Sequence, residues 1–325
     1  MDKTDFDNEY FDKPIKPDVI IDYISVASDL PTDLPTALVY VRPETNEVHY
    51  EKAIILGITP YADVVYLANL NGRIFIKDAL ILDHYASQYR FAVYAKEEMA
   101  RFPEFVETFE NYFKTSFDSS FIIGSFDALI KLNLNDESLF NYIVEDKDFL
   151  KLYGQTIKKI NNVFVVNYDM PAIIKRYTPK ANVFAIAIKF KDKNTSFLEI
   201  NQSIFDQIKK NNMVIVDEEF HKSLEWNERI RRTYHISRNN VMAMFDMVDF
   251  IIRNNNDHLR FIETPLGKTL IEENGISEDF IIRIKEFPIV YIEENGKKRL
   301  VNLLEEANGM NMEECVNLIK RIRIV

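Results

Sequence analysis

Asn71-Gly72 lies between two runs rich in β-branched and aromatic residues, Val64-Val65-Tyr66-Leu67-Ala68-Asn69-Leu70 and Arg73-Ile74-Phe75-Ile76. Both central residues of a two-residue type I′ turn need positive φ, which Asn and Gly reach at little cost. The expectation is a β-hairpin. Upstream, the apolar residues 37–41 and 48–56 flank the polar Pro43-Glu44-Thr45-Asn46-Glu47. A second hairpin is therefore expected there, making residues 35–94 a meander of about four strands.

A chain of 325 residues, 47% apolar and with 24 Phe and 16 Tyr, can build ordinary hydrophobic cores in two or three domains. No run approaches the roughly 18 uninterrupted apolar residues that a spanning helix needs. Met1-Asp2-Lys3-Thr4-Asp5 lacks the basic-then-apolar order of a secretory signal. The expectation is a protein neither inserted into a membrane nor exported. Cys315 is the single cysteine, which excludes an internal disulfide and any multi-cysteine zinc or iron–sulfur site, and a reducing cytoplasm is expected.

The net charge of −11 is unevenly spread. Residues 222–325 carry 16 Lys plus Arg against 17 Asp plus Glu, so nearly all of the excess acid lies before them. Such a balance disfavours nucleic acid, whose affinity rests on neutralising phosphates over a broad field. A local basic face in the C-terminal third remains open.

Taken in order, residues 1–18 interleave Asp2, Asp5, Asp7, Glu9, Asp12 and Asp18 with Phe6, Tyr10 and Phe11 and read as a flexible acidic arm. Residues 19–134 read as an antiparallel sheet plus helices. Within them, Pro103 can open a helix because a proline in the first turn sacrifices no intrahelical bond. Phe102, Phe105, Phe109, Tyr112 and Phe113 then form an aromatic core face. Residues 121–132 and 139–160 are expected to be helical, with the polar 133–137 between them as a domain boundary. Residues 135–216 are expected to form a mixed α/β module, with strands at 163–167, 183–190 and 213–216 and helices at 171–177 and 197–210.

Residues 217–325 read as a mainly helical module with a β-hairpin. The most apolar helix is expected at 241–252, with Asp246, Asp249 and Arg253 as its polar line. A helix over 258–273, another over 277–286, and a hairpin about Glu294-Asn295-Gly296-Lys297 follow. The last helix places Cys315 on its apolar face, where a thiol is poorly reactive. The whole is expected to be α+β, with an N-terminal antiparallel sheet and helices, a mixed α/β middle and a mainly helical C-terminal part.

The motifs of catalysis fail their spacing. Eight glycines include no GxGxxG, and Gly267-Lys268-Thr269 lacks the earlier glycine of a phosphate loop, which is Ile262 here. There is no HExxH and no GxSxG. Glu218, His221 and Glu225 fall at i, i+3 and i+7 and would share one helical face, the donor set for an alternative reading as a metal-assisted hydrolase. Acidic residues in a first helical turn are equally what the helix dipole favours.

A basic cluster follows: Arg229, Arg231, Arg232, His235 and Arg238, with Trp226 and Tyr234 as stacking faces. Arginine forks suit phosphates and carboxylates. The competing reading is an ion-paired surface helix in which Glu228 meets Arg232 at i, i+4. Helix, helix and hairpin with Lys297, Lys298 and Arg299 at its tip also permit a winged-helix-like nucleic-acid binder. Its second helix, Ser277-Glu278-Asp279-Phe280-Ile281-Ile282-Arg283-Ile284-Lys285-Glu286, is a poor surface for DNA. The expectation is therefore a non-enzymatic interaction or regulatory protein, with a protein partner, no cofactor and an oligomeric state left open.

Overall fold

The computed structural model describes residues 21–26, 34–46, 48–77, 79–211, 226–253 and 257–323. The acidic arm at 1–18, the expected strand at 213–216, and Glu218, His221 and Glu225 lie outside the described residues. In chain order the strands are β1 (Ile21–Val26), β2 (Thr36–Val41), β3 (Ala62–Asn71), β4 (Phe121–Gly124), β5 (Phe149–Leu152), β6 (Gln155–Ile160), β7 (Val163–Val166) and β8 (Asn182–Phe190). They are followed by β9 (Tyr234–Ile236), β10 (Ile289–Glu294), β11 (Lys297–Asn302) and β12 (Ile322–Arg323). The fold is α+β.

The central element is a sheet of order β1-β3-β8-β2-β9, antiparallel throughout. Its strands come from each of the stretches 19–134, 135–216 and 217–325. The sheet is buried on both faces, so β2 reads as one apolar run rather than an alternation. Period-two geometry sends Ala37, Val39 and Val41 to one side, against the helices Val48–Ile58 and Phe197–Lys210. Leu38 and Tyr40 go to the other, against the helix Asn240–Phe250.

A second sheet, β4-β7-β6-β5, is parallel between β4 and β7 and antiparallel elsewhere. The helix Pro103–Phe113, with proline in its first turn, lays Phe105 and Phe109 onto this sheet, and the Phe109 and Phe164 rings meet at 4.8 Å. Tyr112, expected in the same core face, is exposed. A small sheet of order β11-β10-β12 completes the C-terminal part.

Several expected elements change type. Residues 48–58 are a helix, because Tyr50, Ala53, Ile54 and Ile58 recur at helical spacing and bury together. Asn71-Gly72 makes no hairpin. β3 ends at Asn71, whose side-chain oxygen accepts the Arg73 amide at 3.0 Å and opens the helix Gly72–Lys77. Glycine is needed there for a close approach, since a Cβ would lie 1.8 Å from the Thr178 carbonyl oxygen. The four-strand meander is thus replaced by pairing between strands distant in sequence.

The helix expected over 139–160 is instead the hairpin β5–β6, turned by Tyr153 and Gly154, both at positive φ. Residues 121–124 are strand before the helix Ser125–Lys131 begins. Residues 258–273 are not one helix: a 3-10 turn at Phe261–Glu263 precedes the helix Pro265–Lys268 and a π-turn at Thr269–Glu273. Pro265 cannot continue a preceding helix and starts a new one. The C-terminal hairpin stands as expected, with Asn295 and Gly296 at φ 51° and 74°. No described helix is long and apolar enough to cross a membrane.

Candidate anion-binding site

Where β2 leaves the central sheet, Arg42 continues the even-numbered face that carries Leu38 and Tyr40. Its amide donates to the Thr233 carbonyl at 3.1 Å, and the Thr45 hydroxyl donates to the same oxygen at 2.6 Å. The turn Pro43–Thr45 is thereby fastened to the residues that precede β9. Because Tyr40 pairs with His235 across β2 and β9, their rings share a face and stack at 4.7 Å with 19° between planes.

The second wall comes from the β4–β7 module. Asp169 precedes the helix Met170–Arg176, whose final residue reaches Glu44 with an Nη1–Oε1 distance of 2.6 Å. A cation in the last turn also suits the helix dipole. The Phe140 ring, at the end of the helix Asp136–Phe140, receives two guanidiniums, Arg176 at 4.9 Å and Arg232 at 4.6 Å. On β6, Lys158 donates to the Tyr142 carbonyl at 2.7 Å and lies over the Tyr168 ring at 3.4 Å.

Arginines 42, 176 and 232 and Lys158 thus converge with Glu44 and Asp169 at the junction of the two sheets. Four cations face two carboxylates. Burial pushes the Asp169 carboxyl up, although Arg232, Lys158 and Arg42 pull it down. Burial pulls Lys158 down to about 8, with Asp169 opposing. The phenols of Tyr40, Tyr85 and Tyr177 border the cluster, and burial raises all three. They are neutral donors at physiological pH, with Tyr40 and Tyr85 oxygens 3.2 Å apart.

Two of these arginines lack a direct acceptor among the described residues, although Glu44 favours the charge of Arg42 and both act on Asp169. Among the described residues, neither the Arg42 nor the Arg232 guanidinium makes a hydrogen bond or ion pair, and Arg42 Nε and Arg232 Nη1 are buried. A buried donor left unmade costs about 1 to 3 kcal/mol, and more when the group is charged. The contact of Arg232 with Phe140 engages the cation through the ring face and leaves its N–H edges available.

Behind the cluster, two aspartates one turn apart on the helix Asn240–Phe250 each hold a histidine. His235 Nε2 and Asp246 Oδ2 are 2.8 Å apart, and the Ser237 hydroxyl donates to the same oxygen at 2.7 Å. His84 Nδ1 lies 2.9 Å from Asp249 Oδ2, and Lys285 closes on Asp249 Oδ1 at 2.8 Å. Burial lowers the His235 pKa, with Asp246 opposing. Asp246 and Asp249 of the expected polar line are therefore interior and paired, whereas Arg253 lies beyond the helix and pairs with Glu263 at 2.6 Å.

The basic residues singled out in the sequence divide between two environments. Arg232 and His235 face the interior, while Arg231 and Arg238 are exposed, Arg231 lying 5.8 Å from the Phe205 ring. Arg229 belongs to the helix Trp226–Arg231, and its side chain lies outside the described residues. No group of three or more metal-capable side chains occurs among the described residues. In a surface depression at Tyr89, Arg90, Tyr94, Glu97 and Glu98, the buried Glu98 is paired with Arg90 at 2.7 Å.

Sequence reasoning missed Arg42, Lys158, Asp169 and Arg176. They stand at spacings of 116, 11 and 7 residues and follow no motif. The one available signal was an arginine directly after the apolar run 37–41. Comparison of the chain with protein-family models, with curated proteins and with solved structures finds no match.

Proposed function

We propose that this protein binds a small anionic ligand at the junction of its two larger sheets and acts as a non-enzymatic, cytoplasmic regulatory protein whose bound state is read by a protein partner. The observation that carries the reading is the pair of partly buried guanidiniums, Arg42 and Arg232, that make no hydrogen bond or ion pair with any described residue. Native proteins rarely leave such donors unmade, and one without a protein partner is met by water, an ion or a ligand. The site also stands between two packed modules, where small-molecule sites are commonly found. Asp246 and Asp249 behind the site are occupied by His84, His235, Ser237 and Lys285.

The test is thermal unfolding in a buffer of large, weakly interacting ions, titrated with inorganic phosphate, sulfate and malonate. At least one should raise Tm saturably, and Arg42→Leu should lose the response while still unfolding cooperatively. No saturable shift with any of the three, or an equal shift in the variant, would overturn the reading.

A further inference from the structure

We infer that the anionic group recognised here is a phosphoryl group, and that Asp169 is the residue that selects it over sulfate. The inference rests on the anion-binding reading above and names the ligand of that same site.

Charge comes first. Arg42, Arg176, Arg232 and Lys158 against Glu44 leave three positive charges when Asp169 carries a proton, which a phosphoryl dianion neutralises more fully than a singly charged carboxylate. Each guanidinium offers five N–H donors in a planar fork, and the two unanswered ones exceed what the roughly four lone-pair positions of a carboxylate can accept. Three terminal phosphoryl oxygens use them more fully.

Asp169 then decides between oxyanions of similar size. It follows Tyr168, whose ring carries the Lys158 ammonium at 3.4 Å, and precedes the helix that ends in Arg176; Arg232, Lys158 and Arg42 all act on its carboxyl, which forms no hydrogen bond to another side chain among the described residues. A carboxylate inside an anion site repels an anion unless one proton lies between them. Phosphate and its monoesters titrate within reach of neutral pH, so the proton can sit on either partner and bridge them. Sulfate stays fully ionised, so only the carboxyl can supply that proton. Burial that raises Asp169 assists the bridge without creating it.

The phosphoryl group could be free phosphate or the end of a phosphorylated metabolite, and the experiment separates the two. Calorimetric titration of the full chain with inorganic phosphate, glycerol phosphate and sulfate should give phosphoryl binding at least about tenfold tighter than sulfate near pH 7. Tighter binding of glycerol phosphate would identify an ester, and tighter binding of inorganic phosphate would identify the free ion. Asp169→Asn keeps a good helix-capping residue of the same shape. It should bring sulfate to within about twofold of phosphate, because the amide donates equally to both. Equal phosphate and sulfate affinities in the wild type would overturn the inference while leaving the anion site standing. Unchanged selectivity in Asp169→Asn would remove Asp169 from the role, and binding of neither anion would remove both proposals.

Discussion

The Lys158 ammonium is held 3.4 Å from the centroid of the Tyr168 ring, an aromatic face standing where a carboxylate would be expected. Burial lowers its pKa to about 8, opposed by Asp169 and assisted by Arg232. The folded state therefore binds this proton more weakly than the unfolded chain. The lysine's charge penalises folding below about pH 8, and the penalty is relieved as pH rises toward the ordinary lysine value near ~10.4. Urea unfolding of wild type and Lys158→Met should show the wild type gaining on the variant across that window. A constant difference would contradict the lowered pKa.

Asp246 behaves in the opposite sense. Burial alone would raise its carboxyl, but His235 and Ser237 outweigh burial and hold it below its usual value. Its stabilisation is present above the unfolded value near ~3.9 and is lost as pH falls through the folded one. Asp246→Ala should cost about 1 to 3 kcal/mol at neutral pH, because it strands the His235 and Ser237 donors. The gap to wild type should narrow below about pH 4. A loss under about 1 kcal/mol would show that the pair is not buried as described.

The two Asn-Gly dipeptides make a direct test of the fold. A methyl at Gly72 would meet the Thr178 carbonyl oxygen at 1.8 Å, whereas at Gly296 it meets nothing within 4 Å but requires φ of 74°. Gly72→Ala should cost more than about 3 kcal/mol, and Gly296→Ala about 1 to 2 kcal/mol. Equal costs would indicate two equivalent turns.

Those dipeptides also show what a local reading can reach. Asn295-Gly296 stands between strands whose pairing is local, so turn chemistry decides it. Asn71-Gly72 is decided by backbone from residues 178–181, a partner that no window of sequence contains. The helix Phe197–Lys210 was legible because its cap, Ser196 with Glu199, and its apolar stripe of Ile200, Ile204 and Ile208 are all internal to it. Of the anion site, Arg232 and His235 were legible as basic residues with phosphate-binding chemistry. Their inward orientation was not, because it follows from the register of β9 on β2. Arg42, Lys158, Asp169 and Arg176 become neighbours only when the two sheets pack.

Cys315 is buried, with its thiol pushed up to about 12 by burial. A thiol-reactive dye should label it negligibly in the native protein and fully in denaturant. Rapid native labelling would contradict its place in the C-terminal core.

The central claim is tested most directly by the stability of Arg232→Met, measured by urea unfolding with and without phosphate. Without phosphate the variant should lie within about 1 kcal/mol of wild type, since the lost contact with Phe140 is offset by removal of an unanswered buried donor. At a hundredfold excess over its Kd, phosphate should stabilise the wild type by about 2.7 kcal/mol and the variant by none. A variant that is strongly destabilised in both buffers yet keeps the full phosphate response would make Arg232 a structural residue and contradict the account.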